Sequence, residues 1–137
     1  MERIFLDTNI IIDSLSDREP FNQYSDKLLS MADSGKIQLV ASAISFVSAN
    51  FIISKDIGKL EAREKLRKFR IICEVANLTD KIIDKGLNSE IKDIEDAYQY
   101  FSALESDISA IITRNKKDFK NSLISVYTAE EYLHTLL

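Results

Sequence analysis

Segments with the pattern of β-strands alternate with segments of helical pattern along most of the chain. Short apolar runs predict strands at residues 3–6, 37–41, 71–75, 109–113 and 124–127. Between these runs, apolar residues recur three and four positions apart, which predicts helices. Strands that are separated by helices cannot pair as hairpins, and they favour a parallel sheet covered on both faces. We therefore predict an α/β fold with a central, mostly parallel sheet, in one domain over residues 1–137.

Residues suited to cap helix N-termini precede several of the helical segments: Ser42, Thr79, Asp93 and Thr128, the last with Glu131 in a capping-box pattern. The segment 43–53 is apolar, so we expect a largely buried helix that Gly58 ends. The segment 59–70 is charged and amphipathic, and it predicts a helix whose apolar positions are Leu60, Leu66 and Phe69.

The balance of charge limits how the chain can bind other molecules. Its formal net charge is −4 at pH 7, so any binding to nucleic acid must be local. Cys73 is the only cysteine, which excludes an internal disulfide, and we expect it to be a buried apolar residue. His134 is expected on the surface. The sequence has no signal-peptide pattern and no run of membrane-spanning length, so we expect a cytoplasmic protein without a membrane partner.

Acidic and polar residues follow two of the predicted strands and begin one of the predicted helices. Residues 7–9 (Asp-Thr-Asn) come directly after the first strand, and 113–118 (Thr-Arg-Asn-Lys-Lys-Asp) follow the fourth. Residues 93–96 begin the helix that leads into the fourth strand. Ligands of open parallel sheets bind beyond the carboxyl ends of the strands. The acidic groups are therefore predicted to converge at one edge of the sheet.

Converging carboxylates repel one another and raise each other's pKa values unless a cation lies between them. Oxygen donors without a nearby His or Cys select Mg²⁺, Mn²⁺ or Ca²⁺ over zinc. A Mg²⁺ ion bound through one or two carboxylates suits phosphodiester hydrolysis. Basic residues close to the same motif are candidates for contacts with a phosphate backbone: Arg114, Lys116, Lys117 and Lys120.

Each acidic residue also has a purely structural explanation. Asp7 is placed to cap the helix that follows it. Asp93 and Asp96 fit the first helical turn, where the helix dipole favours acids, and Asp118 fits an ordinary turn. The basic residues of 59–70 fit a solvated helix face as well as a phosphate-binding one.

Phosphoacceptor and nucleotide-binding α/β domains are another class of protein with an acid such as Asp7 after the first strand. No glycine-rich phosphate loop accompanies that strand, and the chain contains only 3 glycines. This class is therefore disfavoured.

Three motifs occur in one chain: Phe-Leu-Asp-Thr-Asn at 5–9, Glu-Asp-Ala at 95–97 and Ile-Thr-Arg-Asn-Lys-Lys-Asp-Phe at 112–119. In combination they resemble the PIN-domain family, and the likeness spans nearly the whole chain. That family includes the ribonuclease toxins of VapBC-type toxin–antitoxin modules. The resemblance implies a PIN-type domain that cleaves RNA with Mg²⁺ or Mn²⁺. It also implies a partner antitoxin, usually encoded by a neighbouring gene, and a homodimer.

The resemblance also implies a role for individual residues. Asp7 and Asp96 are implied as the principal metal ligands. Asp118 or Asn115 is implied to complete the site near a second metal or the attacking water. Three residues are implied as supporting hydrogen-bonding groups: Thr8, Asn9 and Thr113. With these residues in place, the basic side chains expected to hold the RNA backbone are Arg114, Lys116 and Lys117.

One position departs from the family pattern. Active members usually carry a glutamate in the helix after the second strand, but residues 37–55 contain no acid. Ser48, or Asn50 two residues later, stands near that place and contributes no charge. Glu95 is a candidate for the missing carboxylate, although adjacent helix side chains point about 100° apart and seldom serve one centre. The alternative function is therefore a degenerate PIN domain that binds RNA or protein without catalysis.

Overall fold

The computed structural model describes residues 1–136, and its centre is a five-stranded sheet in which every neighbouring pair is parallel. The strands lie in the order β3-β2-β1-β4-β5. Their bounds are β1 (Arg3–Leu6), β2 (Gln38–Ser42), β3 (Cys73–Ala76), β4 (Ala110–Ile112) and β5 (Ser125–Tyr127). The predicted α/β fold with a parallel sheet is confirmed.

Helices connect the strands in the order that the sequence predicts. They are α1 (Thr8–Leu15), α2 (Asn22–Asp33), α3 (Ala43–Ile57), α4 (Lys59–Ile71), α5 (Asp80–Leu87), α6 (Ile94–Leu104) and α7 (Ala129–His134), with a 3₁₀ turn at Lys116–Phe119. All four predicted N-caps form: the side chains of Ser42, Thr79, Asp93 and Thr128 each accept a hydrogen bond from the first turn of their helix. In residues 1–136 we find no helix with the length and apolar character needed to span a membrane.

The side chains of β1 alternate between two cores, as a strand buried on both faces requires. Ile4 and Leu6 pack into the larger core, where α1 to α4 and α7 cover the sheet. Phe5 points the other way, into a smaller core that includes Tyr100 and Ala103 of α6. Helices therefore flank both faces of the sheet, as predicted.

The burial of α3 and α4 differs from the prediction. The segment 43–53 is not largely buried, because α3 turns only one stripe inward and leaves Val47 and Phe51 70% and 63% exposed. Leu60, predicted on the apolar side of α4, is 86% exposed, while Ala62 and Phe69 are buried. A helix that packs on one side only buries one stripe of its surface, and neighbouring helices decide which stripe that is.

The sheet order places β1 next to β4, at the point where the chain switches from one side of the sheet to the other. Leu6 pairs with Ile112 in register, and the backbone N–H of Asp7 donates to the Ile112 carbonyl at 2.9 Å. Asp7 and Thr113 therefore leave the sheet side by side. This is where open parallel sheets bind their ligands.

Candidate functional site

The carboxylate of Asp7 lies at the centre of a buried hydrogen-bond network. Asp7 is 4% exposed, and Thr113 Oγ1 donates to its Oδ2 at 2.7 Å. Gln99 Nε2 donates to Oδ1 at 3.1 Å, and Asn9 Nδ2 donates to Oδ2 at 3.3 Å. Asp7 occupies the N-cap position of α1, but its side chain makes no capping bond. Its carboxylate is thus oriented by side chains of α6, of the residue after β4 and of Asn9, and not by a backbone capping bond from α1.

Gln99 is held in turn by a second set of buried polar groups. Its Oε1 accepts hydrogen bonds from the Thr8 backbone N–H at 3.2 Å and from Ser45 Oγ at 3.4 Å. Thr8 Oγ1 donates to Ser45 Oγ at 2.8 Å. Gln99 and Ser45 are fully buried. These bonds fix the Gln99 amide so that its nitrogen faces Asp7.

The sequence reasoning missed both Gln99 and Ser45. A signal for Gln99 exists, because it follows Glu95 by four positions and so shares its face of α6. Ser45 carries no comparable signal, since serines are common at the start of helices.

Asp96 lies on the first turn of α6, and several other acids lie near it. The pKa of Asp96 is raised to about 7. Partial burial is the largest cause, and the negative charges of Asp7, Asp93, Asp118 and Glu95 add to it. Burial also raises the pKa of Asp7, and the hydrogen bonds from Thr113 and Gln99 oppose that rise. Asp93 itself caps α6, because its Oδ1 accepts from the Asp96 backbone N–H at 3.0 Å. Asp93 thus has the structural role that its position suggested.

Glu95 extends across the site to α3. Its Oε1 accepts a hydrogen bond from Ser48 Oγ at 2.5 Å, and its Oε2 lies 3.5 Å from Gln99 Nε2. The same Gln99 nitrogen donates to Asp7, so one amide group lies between the two carboxylates. The structure thereby brings a carboxylate to Ser48, on the helix where the expected glutamate is missing.

The loop after β4 contributes through its backbone as well as its side chains. The backbone N–H of Asn115 donates to Thr113 Oγ1 at 3.1 Å, which holds the hydroxyl that contacts Asp7. Asp118, in the 3₁₀ turn, shares a cleft of about 640 Å³ with Asp96. The Asn115 side chain is exposed.

The three basic residues of this loop have different surroundings. Arg114 Nε lies 2.8 Å from Oδ2 of Asp13, a residue of α1 that is 1% exposed. The Arg114 guanidinium also stacks over the ring of Phe21 at 4.3 Å. Lys116 pairs with Glu131 of α7 at 3.0 Å, whereas Lys117 is exposed beside the cleft.

Asp13 is a further residue that the sequence reasoning missed. Its signal is a single acid that directly follows the apolar run Ile10–Ile12 inside a helix. A charge on an otherwise apolar helix face requires a partner, which here is Arg114.

The donor atoms at this site fit a divalent metal ion of the Mg²⁺ type. The carboxylates of Asp7, Asp96 and Asp118 supply hard oxygen donors, and the buried Asn9 Oδ1 has no hydrogen-bond partner within residues 1–136. Among those residues no three His, Cys, Asp or Glu side chains are close enough to form a ready-made metal cluster. The acids therefore affect each other's pKa values, but no three of them in residues 1–136 form one ready-made coordination shell. Mg²⁺ typically takes one or two carboxylates and keeps its waters.

Metal-free protein is expected to lose stability as the pH rises from about 4 to about 7. Asp96 has a folded-state pKa of about 7 against an ordinary value of 3.8, so its protonated form favours the folded state below pH 4. That contribution disappears as the pH rises through 7. Because Asp96 is only half-buried, we expect a change of about 1–2 kcal/mol in the free energy of unfolding. Urea unfolding in EDTA at pH 4 to 8 measures it.

The Asp96→Asn variant should lose most of this pH dependence and be more stable than the wild type at pH 8 in EDTA. Asp33→Asn, which removes an exposed carboxylate of α2, serves as the charge-matched control and should keep the slope. Equal slopes in the wild type and Asp96→Asn would show that the pKa of Asp96 is not raised in the folded protein.

Comparisons with known proteins agree with the fold. Over 136 residues the chain is 26% identical to Ribonuclease VapC1 of Aquifex aeolicus, an alignment that covers 96% of this chain and 93% of that protein. A chain of a toxin–antitoxin complex from Klebsiella pneumoniae superposes with a TM-score of 0.68 at 25% identity, covering 92% of this chain and 97% of the other.

A second similar structure is VapC20 of Mycobacterium tuberculosis, a sarcin-ricin loop cleaving toxin. It superposes with a TM-score of 0.71 at 10% identity, covering 90% of this chain and 98% of the other, and shows likeness of fold alone. The sequence profile of the PIN domain matches residues 3–117, which include the Asp7, Glu95–Ala97 and Thr113–Lys117 motif positions. The chain therefore belongs to the PIN-domain family.

Proposed function

We propose that this protein is a Mg²⁺- or Mn²⁺-dependent endoribonuclease and the toxin of a toxin–antitoxin module. The observation that carries the proposal is the buried Asp7 carboxylate, oriented by Thr113 and Gln99 beside an Asp96 whose pKa is raised to about 7. Perturbed carboxylates at a sheet edge are typical of functional sites. The likeness to Ribonuclease VapC1 and to a chain of a toxin–antitoxin complex supports this function.

Asp7 and Asp96 would hold the cation, with Asp118 on the adjoining wall of the cleft. Thr113, Gln99 and Asn9 fix the Asp7 carboxylate, so it needs little reorganisation when substrate binds. Glu95, held by Ser48, adds negative charge where α3 has none. A bound Mg²⁺ or Mn²⁺ would supply an activated water and stabilise negative charge on the phosphate.

Basic side chains of the loop after β4 would hold the RNA backbone. Arg114 is fixed by Asp13 and Phe21 but keeps 35% of its side chain exposed, so its guanidinium can contact a phosphate. Lys117 lies beside the cleft with no salt bridge in the described residues. Lys116 is the weaker candidate because Glu131 already pairs with it.

A cognate antitoxin is the proposed protein partner, with a homodimer as the proposed assembly and the cytoplasm as the proposed location. The toxin–antitoxin complex from Klebsiella pneumoniae supports the antitoxin. Co-expression with the product of the adjacent gene, followed by co-purification and light scattering, tests both the partner and the assembly.

A non-catalytic RNA-binding module is the second candidate function. Two observations favour it. Residues 43–55 of α3 contain no acid, and no three acidic side chains within residues 1–136 form a metal-binding cluster. Such a protein would bind RNA with the same affinity in the presence of Mn²⁺ and in EDTA, and it would leave the RNA intact.

The test of the main proposal is cleavage of end-labelled, single-stranded RNA of mixed sequence. We expect cleavage in millimolar Mn²⁺ and none in EDTA, with DNA of the same sequence left intact. RNA that stays intact in Mn²⁺ across a pool of sequences, while still binding, would favour the non-catalytic module instead.

A further inference from the structure

A cleft of about 640 Å³ extends away from the carboxylates of Asp96 and Asp118, and most of its lining has no role in the proposed metal site. It lies between the segment before α6 and the 3₁₀ turn with the residues that follow it. Asp96 and Asp118 form part of its wall. Two other surface concavities are smaller and lie on α3 and α4, away from these acids. An RNA strand whose phosphate lies at Asp96 therefore has this cleft next to it for a neighbouring nucleotide.

The lining of the cleft matches the parts of a nucleotide. Phe101 contributes partly exposed aromatic surface, on which bases commonly stack, whereas Tyr100 also lines the cleft but is only 8% exposed. Lys92, Lys117 and Lys120 contribute positive charge, and none of the three forms a salt bridge within residues 1–136. Glu90 and Asp93 line the cleft close to Lys92 in the chain, so Lys117 and Lys120 are better placed for a phosphate. The cleft volume lies within the range of about 300–1,000 Å³ that small-molecule sites occupy.

The wall of the cleft formed by Tyr100 and residues 121–122 is held in place by hydrogen bonds within the protein. Tyr100 Oη accepts a hydrogen bond from the Leu123 backbone N–H at 2.9 Å. Ser122 Oγ donates to the Ile124 carbonyl at 2.7 Å and accepts from the Ile124 N–H at 2.9 Å. Asn121, on the same wall, makes no side-chain hydrogen bond in the described part of the chain. Its amide offers both a donor and an acceptor to the edge of a base. A preformed wall lowers the entropic cost of binding.

We propose that this cleft binds one unstacked nucleotide of single-stranded RNA next to the phosphate that is cleaved. Its base lies against Phe101, Asn121 contacts the base edge, and Lys117 or Lys120 contacts the adjoining phosphate. Paired RNA is excluded, because a base within a duplex cannot enter a pocket without leaving its stack. The proposal rests on the proposed ribonuclease function, since it names the part of the substrate that the site takes.

The test measures binding without cleavage. Wild-type protein in EDTA at low salt is titrated into a fluorescein-labelled, single-stranded RNA octamer, and the anisotropy gives the dissociation constant. Phe101→Leu, which keeps apolar volume but removes the ring, is expected to weaken binding about tenfold. Asn121→Ala should weaken it several-fold. Lys68→Ala, on the exposed side of α4, is the control and should differ by less than twofold.

Thermal unfolding of each variant checks that a loss of affinity is not a loss of fold. The same octamer annealed to its complement should bind at least tenfold more weakly than the single strand. Unchanged affinity in both Phe101→Leu and Asn121→Ala, in a protein that cleaves RNA with Mn²⁺, would overturn the nucleotide site and leave the ribonuclease function standing. Weakened binding in these variants without any cleavage by the wild type would support the site and count against the ribonuclease.

Discussion

Asp7→Asn is expected to lower Mn²⁺-dependent RNA cleavage by roughly 1,000-fold while the protein stays folded. The substitution removes the charge at the centre of the buried network, and a metal ion contributes several kcal/mol to such a reaction, or about three powers of ten in rate. Asparagine has the shape of aspartate, and its oxygen can still accept the hydrogen bond from Thr113. Single-turnover cleavage of labelled RNA measures the loss.

Stability separates a catalytic effect of Asp7→Asn from a folding defect. Burial raises the pKa of Asp7, so a neutral side chain at this position is less costly to bury than the charged one. The amide nitrogen of the new asparagine faces Gln99 Nε2, another donor, and this offsets part of that gain. The variant should therefore melt close to the wild-type temperature in EDTA, and Mn²⁺ should no longer stabilise it. Asp33→Asn, which removes the same charge from the exposed surface of α2, is the matched control. Cleavage by Asp7→Asn within a few-fold of the wild type would exclude the proposed metal site.

Arg114→Ala is expected to destabilise the protein by about 2 kcal/mol, or about 6 °C in melting temperature. The substitution removes the partner of Asp13, whose carboxylate is almost completely buried. Losing one partner of a fully buried ion pair costs about 3–5 kcal/mol, and the lower value here reflects the partial exposure of Arg114. Urea unfolding at pH 7.5 measures the change.

The pH dependence of Arg114→Ala identifies the cause of its instability. Burial raises the pKa of Asp13, and Arg114 opposes that rise, so the variant should raise the Asp13 pKa further. An acid with a raised folded-state pKa stabilises the fold when protonated, so the penalty should shrink as the pH falls toward 4. Adding Asp13→Asn should restore at least half of the lost stability.

Arg67→Ala is the control for the removal of an arginine. Arg67 pairs with Glu64 on the exposed side of α4, and such surface pairs contribute at most about 1 kcal/mol. If Arg114→Ala is no less stable than Arg67→Ala at pH 7.5, the Asp13–Arg114 pair is not a structural ion pair.

The fold was largely predictable because strands and helices have different periods that can be read along the chain. The continuous apolar run of β1 and the capping residues Ser42, Thr79 and Thr128 are local signals, and each lies where the structure has it. Burial was less predictable. Leu60 and Phe51 are apolar but exposed, since the packing of α3 on α4 decides which stripe turns inward.

The candidate site was only partly predictable, because part of it is assembled by packing between distant segments of the chain. Asp7, Asp96 and Asp118 stand at strand ends and helix starts, which a sequence pattern can locate. The partners that orient Asp7 come from elsewhere. Gln99 lies 92 positions away and Thr113 lies 106 positions away, so only the folded chain brings them into contact.

The sequence by itself determined the α/β class, the order of its elements and the acids at the edge of the sheet, because these depend on local periodicity and on short motifs. The tertiary structure alone decided that Asp13 pairs with Arg114, that Glu95 reaches Ser48 and that a cleft opens beside Asp96. Those contacts join residues far apart in the chain, and their geometry follows from the packing of α1, α3 and α6 around the parallel sheet.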